Sequence, residues 1–210
     1  MQYSVCNEGD DMKNLSLEEK REQFHEFFII KHPIQVNIIT MPETFSSPDV
    51  ENLVEYMPHA FVIASEMSEI ATKALRPLRV LGEHAEELAA FLDLQNRKID
   101  LMMSFILQQQ DDKEHQYQGI EFGGSGVKVI SDTEMPLEQV VEIKVFLTEE
   151  ACAIFAYAEV IDCKQVDDKY HVSLTFSSIR EQDQDILVKA SLHIQTQQLK
   201  KRAKPRLEDN

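Results

Sequence analysis

Along the chain the spacing of apolar residues changes period twice. In PIQVNII (33–39) apolar and polar positions alternate, with Ile34, Val36 and Ile38 on one face, which predicts a strand. A proline- and serine-rich loop follows at 41–49. From about Phe61 to Gln109 the spacing becomes helical. Met67, Ile70, Ala74 and Leu78 share one face, and Pro77 is expected to break or kink the first helix or to open the second. From Leu78 to Gln109 the apolar positions Leu81, Ala85, Leu88, Leu92, Gln95, Ile99, Met102 and Ile106 step by 4, 3, 4, 3, 4, 3 and 4, a sustained heptad with one polar member. Those 32 residues would span roughly 48 Å, more than the rest of a small domain can cover. Beyond a polar exit at 108–115 the period returns to two. Val127 with Val129, Val140–Leu147, Ala151–Ile161 and Tyr170–Phe176 read as strands, and Asp167–Asp168 as a hairpin turn. Ser177–Ser178 with Glu181 form a candidate capping box for a last helix to about Lys200, which would bury Ile186, Leu187, Ala190 and Ile194.

The order is therefore strand, two helices, several antiparallel strands, one helix. Five or six short strands suggest a small barrel or sandwich, with the helical rod inserted after the first strand. Residues 1–23 are expected to be a flexible segment, although Leu17, Phe24 and Phe27 fit a short helix or turn. The body is expected at 24–200, with its helical insertion at about 61–109, and a basic tail at 201–210.

The heptad points outward. Gln95 falls at mid-helix in an otherwise apolar seam, and a buried amide there fixes register and oligomer number. A second stripe, Phe91, Leu94, Leu101 and Phe105, lies beside the first and is interrupted by Lys98. Two adjacent stripes suit a helix with neighbours on two sides, and hence a bundle of more than two helices. The expectation is a homo-oligomer, with a tetramer as the candidate assembly; burial of both stripes against the chain's own domain is the alternative.

Charge narrows the partners. The chain carries −16. Its last eleven residues carry +3, so residues 1–199 carry −19, the difference between the two. A body that acidic repels phosphate backbones, which argues against a nucleic-acid polymer as partner. Cys6, Cys152 and Cys163 make no metal-binding spacing, and a sparse, odd count fits a reducing cytoplasm. Cys152 and Cys163 are expected to pack as small apolar residues. No metal site is expected. No apolar run approaches the ~18 residues that a membrane helix needs, and the start MQYSVCNEGDDMK does not read as a signal peptide. The seven histidines form no H-x-E, HExxH or His/Asp/Ser grouping, so no enzyme is expected.

Four of the six glycines fall within GIEFGGSGVKVI (119–130). Either they cradle a phosphate or they bend a sheet. No Lys-Ser follows them, so a P-loop reading is weak and shaping of the barrel is preferred.

Three stretches in this order resemble the PilZ domain of bacterial cyclic di-GMP signalling. EFFIIKHPIQV (26–36) looks like that family's approach to its first strand. IEFGGSGVKV (120–129) sits where the family carries its D/N-x-S-x-x-G strand, and YHVSLTFSSIREQDQDIL (170–187) resembles its last strand and closing helix. The inserted helix resembles the atypical, tetrameric branch. The resemblance implies an α+β fold, namely a small antiparallel PilZ-like β-barrel with a long helical insertion and a C-terminal helix. It also implies a cytoplasmic, non-enzymatic adaptor with a protein partner in a signalling pathway, and no cofactor beyond cyclic di-GMP as a possible ligand.

In that family an R-x-x-x-R loop grips guanine and phosphate with guanidinium groups. Here the two positions fall at His25 and Ile29, neither of which offers a charged fork at neutral pH. Arg21 precedes His25 by four residues and is either a substitute ligand or a solvated charge. In the strand motif Glu121 takes the Asp/Asn place, Gly123 the Ser place and Gly126 the Gly place, with Ser125 and Lys128 nearby. The expectation is a degenerate nucleotide site. A working receptor using Arg21, His25, Glu121, Gly123, Ser125, Gly126, Lys128 or the basic tail is the alternative. A phosphoester hydrolase has no support beyond the glycines.

Overall fold

The computed structural model describes residues 15–26, 29–78, 83–110 and 112–203. Six antiparallel strands close into a barrel: β1 (Ile29–Thr40), β2 (Gln116–Gly123), β3 (Gly126–Ser131), β4 (Val140–Leu147), β5 (Cys152–Val166) and β6 (Lys169–Ser178). Their order around the barrel is β1-β2-β3-β6-β5-β4. Helix α1 (Leu17–Glu26) precedes β1. Helices α2 (Leu53–Tyr56), α3 (His59–Leu78) and α4 (Glu83–Gln110) lie between β1 and β2, and α5 (Glu181–Ala203) closes the chain.

The alternation read in β1 places Val36 and Ile38 inside the barrel with Phe122, Val127, Val129, Ile143, Val145, Leu174 and Phe176. Pro33 has no N–H for the ladder, and the β1–β2 register slips between Lys31 and Ile34. The short Asp167–Asp168 turn joins β5 to β6 with Asp167 in the left-handed region at φ 55°. Leu187, Ala190 and Ile194 of α5 enter the barrel core, with Ile186 packed beside them.

A second core lies outside the barrel wall. Phe146, Phe155 and Tyr157 join Leu53, Met57, Phe61 and Leu107 there. Phe61 meets Phe155 edge-on at 6.0 Å between ring centroids, and Phe155 meets Tyr157 at 5.6 Å. From Ile154 to Ala158 every residue of β5 is buried, because one face looks into the barrel and the other lies under the inserted helices. That accounts for the unbroken apolar run IFAYA, which a half-exposed strand would not tolerate. Cys152 and Cys163 are free and pack against the barrel core, and burial pushes the Cys152 thiol up to about 12.

Three boundaries differ from the sequence reading. The N-terminal segment expected to be flexible through residue 23 is helical from Leu17. Ser16 caps it with a reciprocal box: its N donates to Glu19 Oε2 (2.8 Å), and its Oγ accepts from Glu19 N (3.4 Å). The capping box expected at Ser178 does not form. Ser178 is held extended in β6 opposite Tyr157, and its buried Oγ has no hydrogen-bond partner. Instead α5 starts at Glu181, with the backbone N–H groups of Asp183 and Gln184 both donating to the Arg180 carbonyl at 3.0 Å. The Arg180 guanidinium clasps Asp183 through Nε (2.7 Å) and Nη2 (3.0 Å), and donates from Nη1 to Ser65 Oγ of α3 (2.6 Å). Finally, α3 continues to Leu78, one residue past Pro77. Residues 79–82, including Leu81, lie outside the described residues, as does the side chain of Ala85. Among the described residues no helix is long and apolar enough to cross a membrane.

Gly126 marks the tightest approach in the barrel. A Cβ there would stand 2.0 Å from the Leu174 carbonyl oxygen and 2.9 Å from the Phe24 ring. At Gly124 it would meet only the end of the Val188 side chain, at 2.6 Å. Gly126→Ala should therefore cost about 2 kcal/mol or more in urea unfolding, and Gly124→Ala clearly less; equal costs would contradict the assignment of backbone crowding to Gly126.

Burial raises the carboxyls of Asp183 and Asp100 above their ordinary range, opposed at Asp183 by Arg180 and at Asp100 by Arg97. A carboxyl raised on folding adds stability that is full below the unfolded value, near ~3.9. That stability is lost as pH rises through the folded value. Asp100→Asn removes one such falling contribution. The plot of denaturation free energy against pH should thus run with a more positive slope just above the unfolded carboxyl range, from about pH 4 upward, than in the parent chain.

Candidate functional site

The outer wall of the barrel carries one continuous polar row. Register places Lys31 of β1 opposite Glu121 of β2, Glu121 opposite Lys128 of β3, Lys128 opposite Ser173 of β6, and Ser173 opposite Asp162 of β5. Val127, Val129, Val172 and Leu174 point inward, so the alternation of the strands sends Lys128 and Ser173 outward. Glu121 sits between two ammonium groups: Lys128 Nζ is 3.4 Å from Oε2 and Lys31 Nζ is 3.8 Å from Oε1. The carboxylate is only 19% exposed.

At the other end of the row α1 lies on β5. Lys20 Nζ donates to both carboxylate oxygens of Glu159, at 2.7 and 2.8 Å, with both side chains largely covered. Arg21 Nε donates to the Ile161 carbonyl (2.7 Å), and its Nη2 stands 3.8 Å from Asp162 Oδ1. One turn further on, Phe24 is 1% exposed and abuts Gly126. Ser173 and Thr175 face outward and are nonetheless buried.

The residues singled out in the sequence thus separate into groups. Glu121 and Lys128 meet. Ser125 and Gly126 form the β2–β3 corner under Phe24, where Ser125 Oγ makes a long contact to the Phe24 carbonyl (3.5 Å) and the Ser125 carbonyl accepts from Phe176 N (2.9 Å) and Thr175 Oγ1 (3.1 Å). Gly123 ends β2 opposite Ile29. Arg21 is engaged on β5, three strand spacings from Glu121, or roughly 14 Å along the wall at about 4.8 Å per strand. The His25 side chain lies outside the described residues. Sequence reasoning missed Lys31, Lys20–Glu159 and the role of Phe24. Lys31 becomes visible only through the β1–β2 register, which no local pattern encodes. Among the described residues, no three His, Cys, Asp or Glu side chains lie close enough to hold a metal ion.

The second candidate surface is α4. Its barrel-facing side carries the buried Ala89, Ser104 and Leu107, and Arg97 Nη2 ties it to the Glu149 carbonyl at 2.7 Å. The opposite side is apolar and open. Phe91, Leu94, Met102 and Phe105 are 55–65% exposed, and Leu88, Ile99, Leu101 and Ile106 are also exposed. At 100° per residue they cover roughly half the helix circumference, and Gln95 and Lys98 fall within that arc.

Residues 94–192 match the PilZ domain family model. That match covers just under half of the chain. PilZ domains are cyclic di-GMP-binding adaptors, generally without catalytic activity. The matched span begins within α4, so β1, which closes the barrel against β2 and β4, lies outside it. The fold is similar to that of a pathogenic protein from Xanthomonas campestris. That protein is described as a tetrameric PilZ domain self-assembled through an unusual helical bundle (TM-score 0.51, 13% identity, 85% of this chain and 96% of that one). A weaker likeness links it to the Bacillus subtilis inhibitor of motility MotI/DgrA (TM-score 0.37, 19% identity, 39% of this chain and 42% of that one). No curated protein matches the sequence.

Phe24 holds α1 over the β3–β6 face of this PilZ barrel. Phe24→Ala should cost about 3 kcal/mol in chemical denaturation and speed amide exchange across residues 17–26. Unchanged exchange there would mean that the Lys20 and Arg21 contacts alone seat the helix.

Proposed function

We propose that this PilZ protein is a non-enzymatic adaptor that assembles with its own copies through the open face of α4, and that its nucleotide site is degenerate. The observation that carries the assembly is the exposed arc on α4. Five large side chains more than half exposed on one helix, continuous with three others, exceed the scattered apolar exposure of a soluble monomer. The self-assembly described for the Xanthomonas protein of similar fold supports the same reading. Gln95 and Lys98 inside the arc would set register, because an unpaired polar group in an apolar seam is costly in every other alignment.

Degeneracy rests on three residues. His25 and Ile29 stand where two arginines are expected, and each lost bidentate contact removes about 1.5–3 kcal/mol, so two weaken binding roughly 100-fold or more. Arg21, the nearest substitute, already donates to the Ile161 carbonyl. A place in a cytoplasmic signalling circuit, acting through a protein partner, is part of the same proposal.

One observation favours a second reading, a working cyclic di-GMP receptor with non-standard ligands. Lys31 and Lys128 bracket Glu121, so two ammonium groups suited to a phosphate stand beside a carboxylate able to accept from guanine N–H groups.

Sedimentation velocity at micromolar concentration should show a single species larger than a monomer. Phe91→Glu with Phe105→Glu should reduce it to monomer while leaving the circular dichroism of the barrel intact; a monomeric parent chain would remove the assembly. Calorimetric titration with cyclic di-GMP should give weak or no binding. A submicromolar constant lost in Lys128→Ala would establish the receptor reading instead.

A further inference from the structure

On the side of the barrel away from α1, a cavity of about 400 Å³ opens between the β1 bulge, the start of β2, the β4–β5 turn and the middle of α5. It takes no part in the assembly face or in the Lys31–Glu121–Lys128 row. Its floor is apolar, with Ile34, Leu147 and Ile194, and its walls bring Gln35, Tyr117 and Glu150 to the same space. No lysine or arginine lines it among the described residues. The volume suits a small ligand of moderate polarity.

Two features of the β4–β5 turn single out the ligand's charge. Glu150 Oε1 is buried and has no hydrogen-bond partner; His193 Nδ1 stands 3.7 Å away, beyond hydrogen-bond reach. A carboxylate oxygen withdrawn from water without a donor is unfavourable unless something supplies one. The next residue, Ala151, is buried with φ 55°, a conformation that an L-residue adopts at a cost of roughly 1 kcal/mol. Strain of that kind persists where the surroundings hold a side chain in place, and it clusters at ligand sites. Here it belongs to the turn that presents Glu149 and Glu150 to the cavity. Arg97, the nearest guanidinium on α4, is tied to the Glu149 carbonyl rather than to either carboxylate. The chain's net charge of −16 adds a field that concentrates cations at such a mouth.

We propose that this cavity binds a small organic cation, an ammonium or amidinium group on a short apolar body, with Glu150 as its counter-ion. The cation pairs with the Glu150 carboxylate, whose side chain lines the cavity and is 20% exposed, the apolar body covers Ile34 and Ile194, and Gln35 and Tyr117 offer further polar contacts. An anion would meet Glu149 and Glu150 there, with His32 the one basic side chain among the described lining residues.

The test uses the full chain with benzamidine and its neutral near-isostere benzamide as probes, followed by isothermal titration and by amide chemical shifts. Benzamidine should saturate and shift resonances of residues 32–35, 116–118 and 148–151, and benzamide should bind at least about tenfold more weakly. Glu150→Gln should reduce benzamidine affinity by about the same factor and leave the far-ultraviolet spectrum unchanged. Equal binding of the two probes, no saturable benzamidine shift, or shifts confined to other residues would overturn the proposal. Full retention of affinity in Glu150→Gln would overturn it as well. Should that variant fail to fold, the contrast between the two probes in the parent chain still decides.

Discussion

The outward face of β5 is the constraint on which the other parts of the molecule depend. A barrel strand normally alternates core and solvent, but Phe155 and Tyr157 are large, apolar and directed away from the barrel interior. Leaving them in water would sacrifice about 1.5–3 kcal/mol per side chain. They are covered by the segment between β1 and β2, through Leu53, Met57, Phe61 and Leu107. The insertion is therefore bound into the domain by a second core. α4 contributes Leu107 to that core and buries Ala89 and Ser104 on the same side, while its other side runs on uncovered.

Polar contacts then fix how the helices sit. Arg180, at the foot of α5, reaches Ser65 on α3 while clasping Asp183, and Arg97 on α4 reaches the β4–β5 turn. Each joins an inserted helix to a part of the barrel that the apolar cluster does not touch. Apolar packing tolerates small rotations, whereas a guanidinium donating to a single oxygen does not. Together they turn the Phe91–Phe105 stripe away from the barrel, so that the surface proposed for assembly follows from the way the helix is anchored.

Periodicity made the strands, the two inserted helices and the buried positions of α5 legible, because each rests on neighbours in sequence. The barrel closure was legible only as far as the count and order of strands. The capping box at Ser178 failed because β6 extends two residues past Phe176, and strand pairing with Tyr157 outweighs a local hydrogen bond. α1 is the reverse case. Its box at Ser16 is local and readable, but its polar face hid the fact that Lys20, Arg21 and Phe24 each find a partner more than 100 residues away. For the candidate nucleotide face, sequence indicated Glu121 and Lys128. It could not indicate Lys31, which arrives by register, nor that Arg21 is directed to β5.

Those placements bear on the proposal that the nucleotide site is degenerate. The β2–β3 corner keeps Gly126 because the Leu174 carbonyl leaves no room for a Cβ, a requirement of the barrel that holds whether or not any nucleotide is bound. On the proposal of a degenerate site, the arginines expected at the places of His25 and Ile29 would carry no comparable packing duty. α1 lies over the neighbouring wall with Phe24 against Gly126 and its charges on Glu159, Ile161 and Asp162. The glycine that looks like part of a binding motif thus has a packing role of its own.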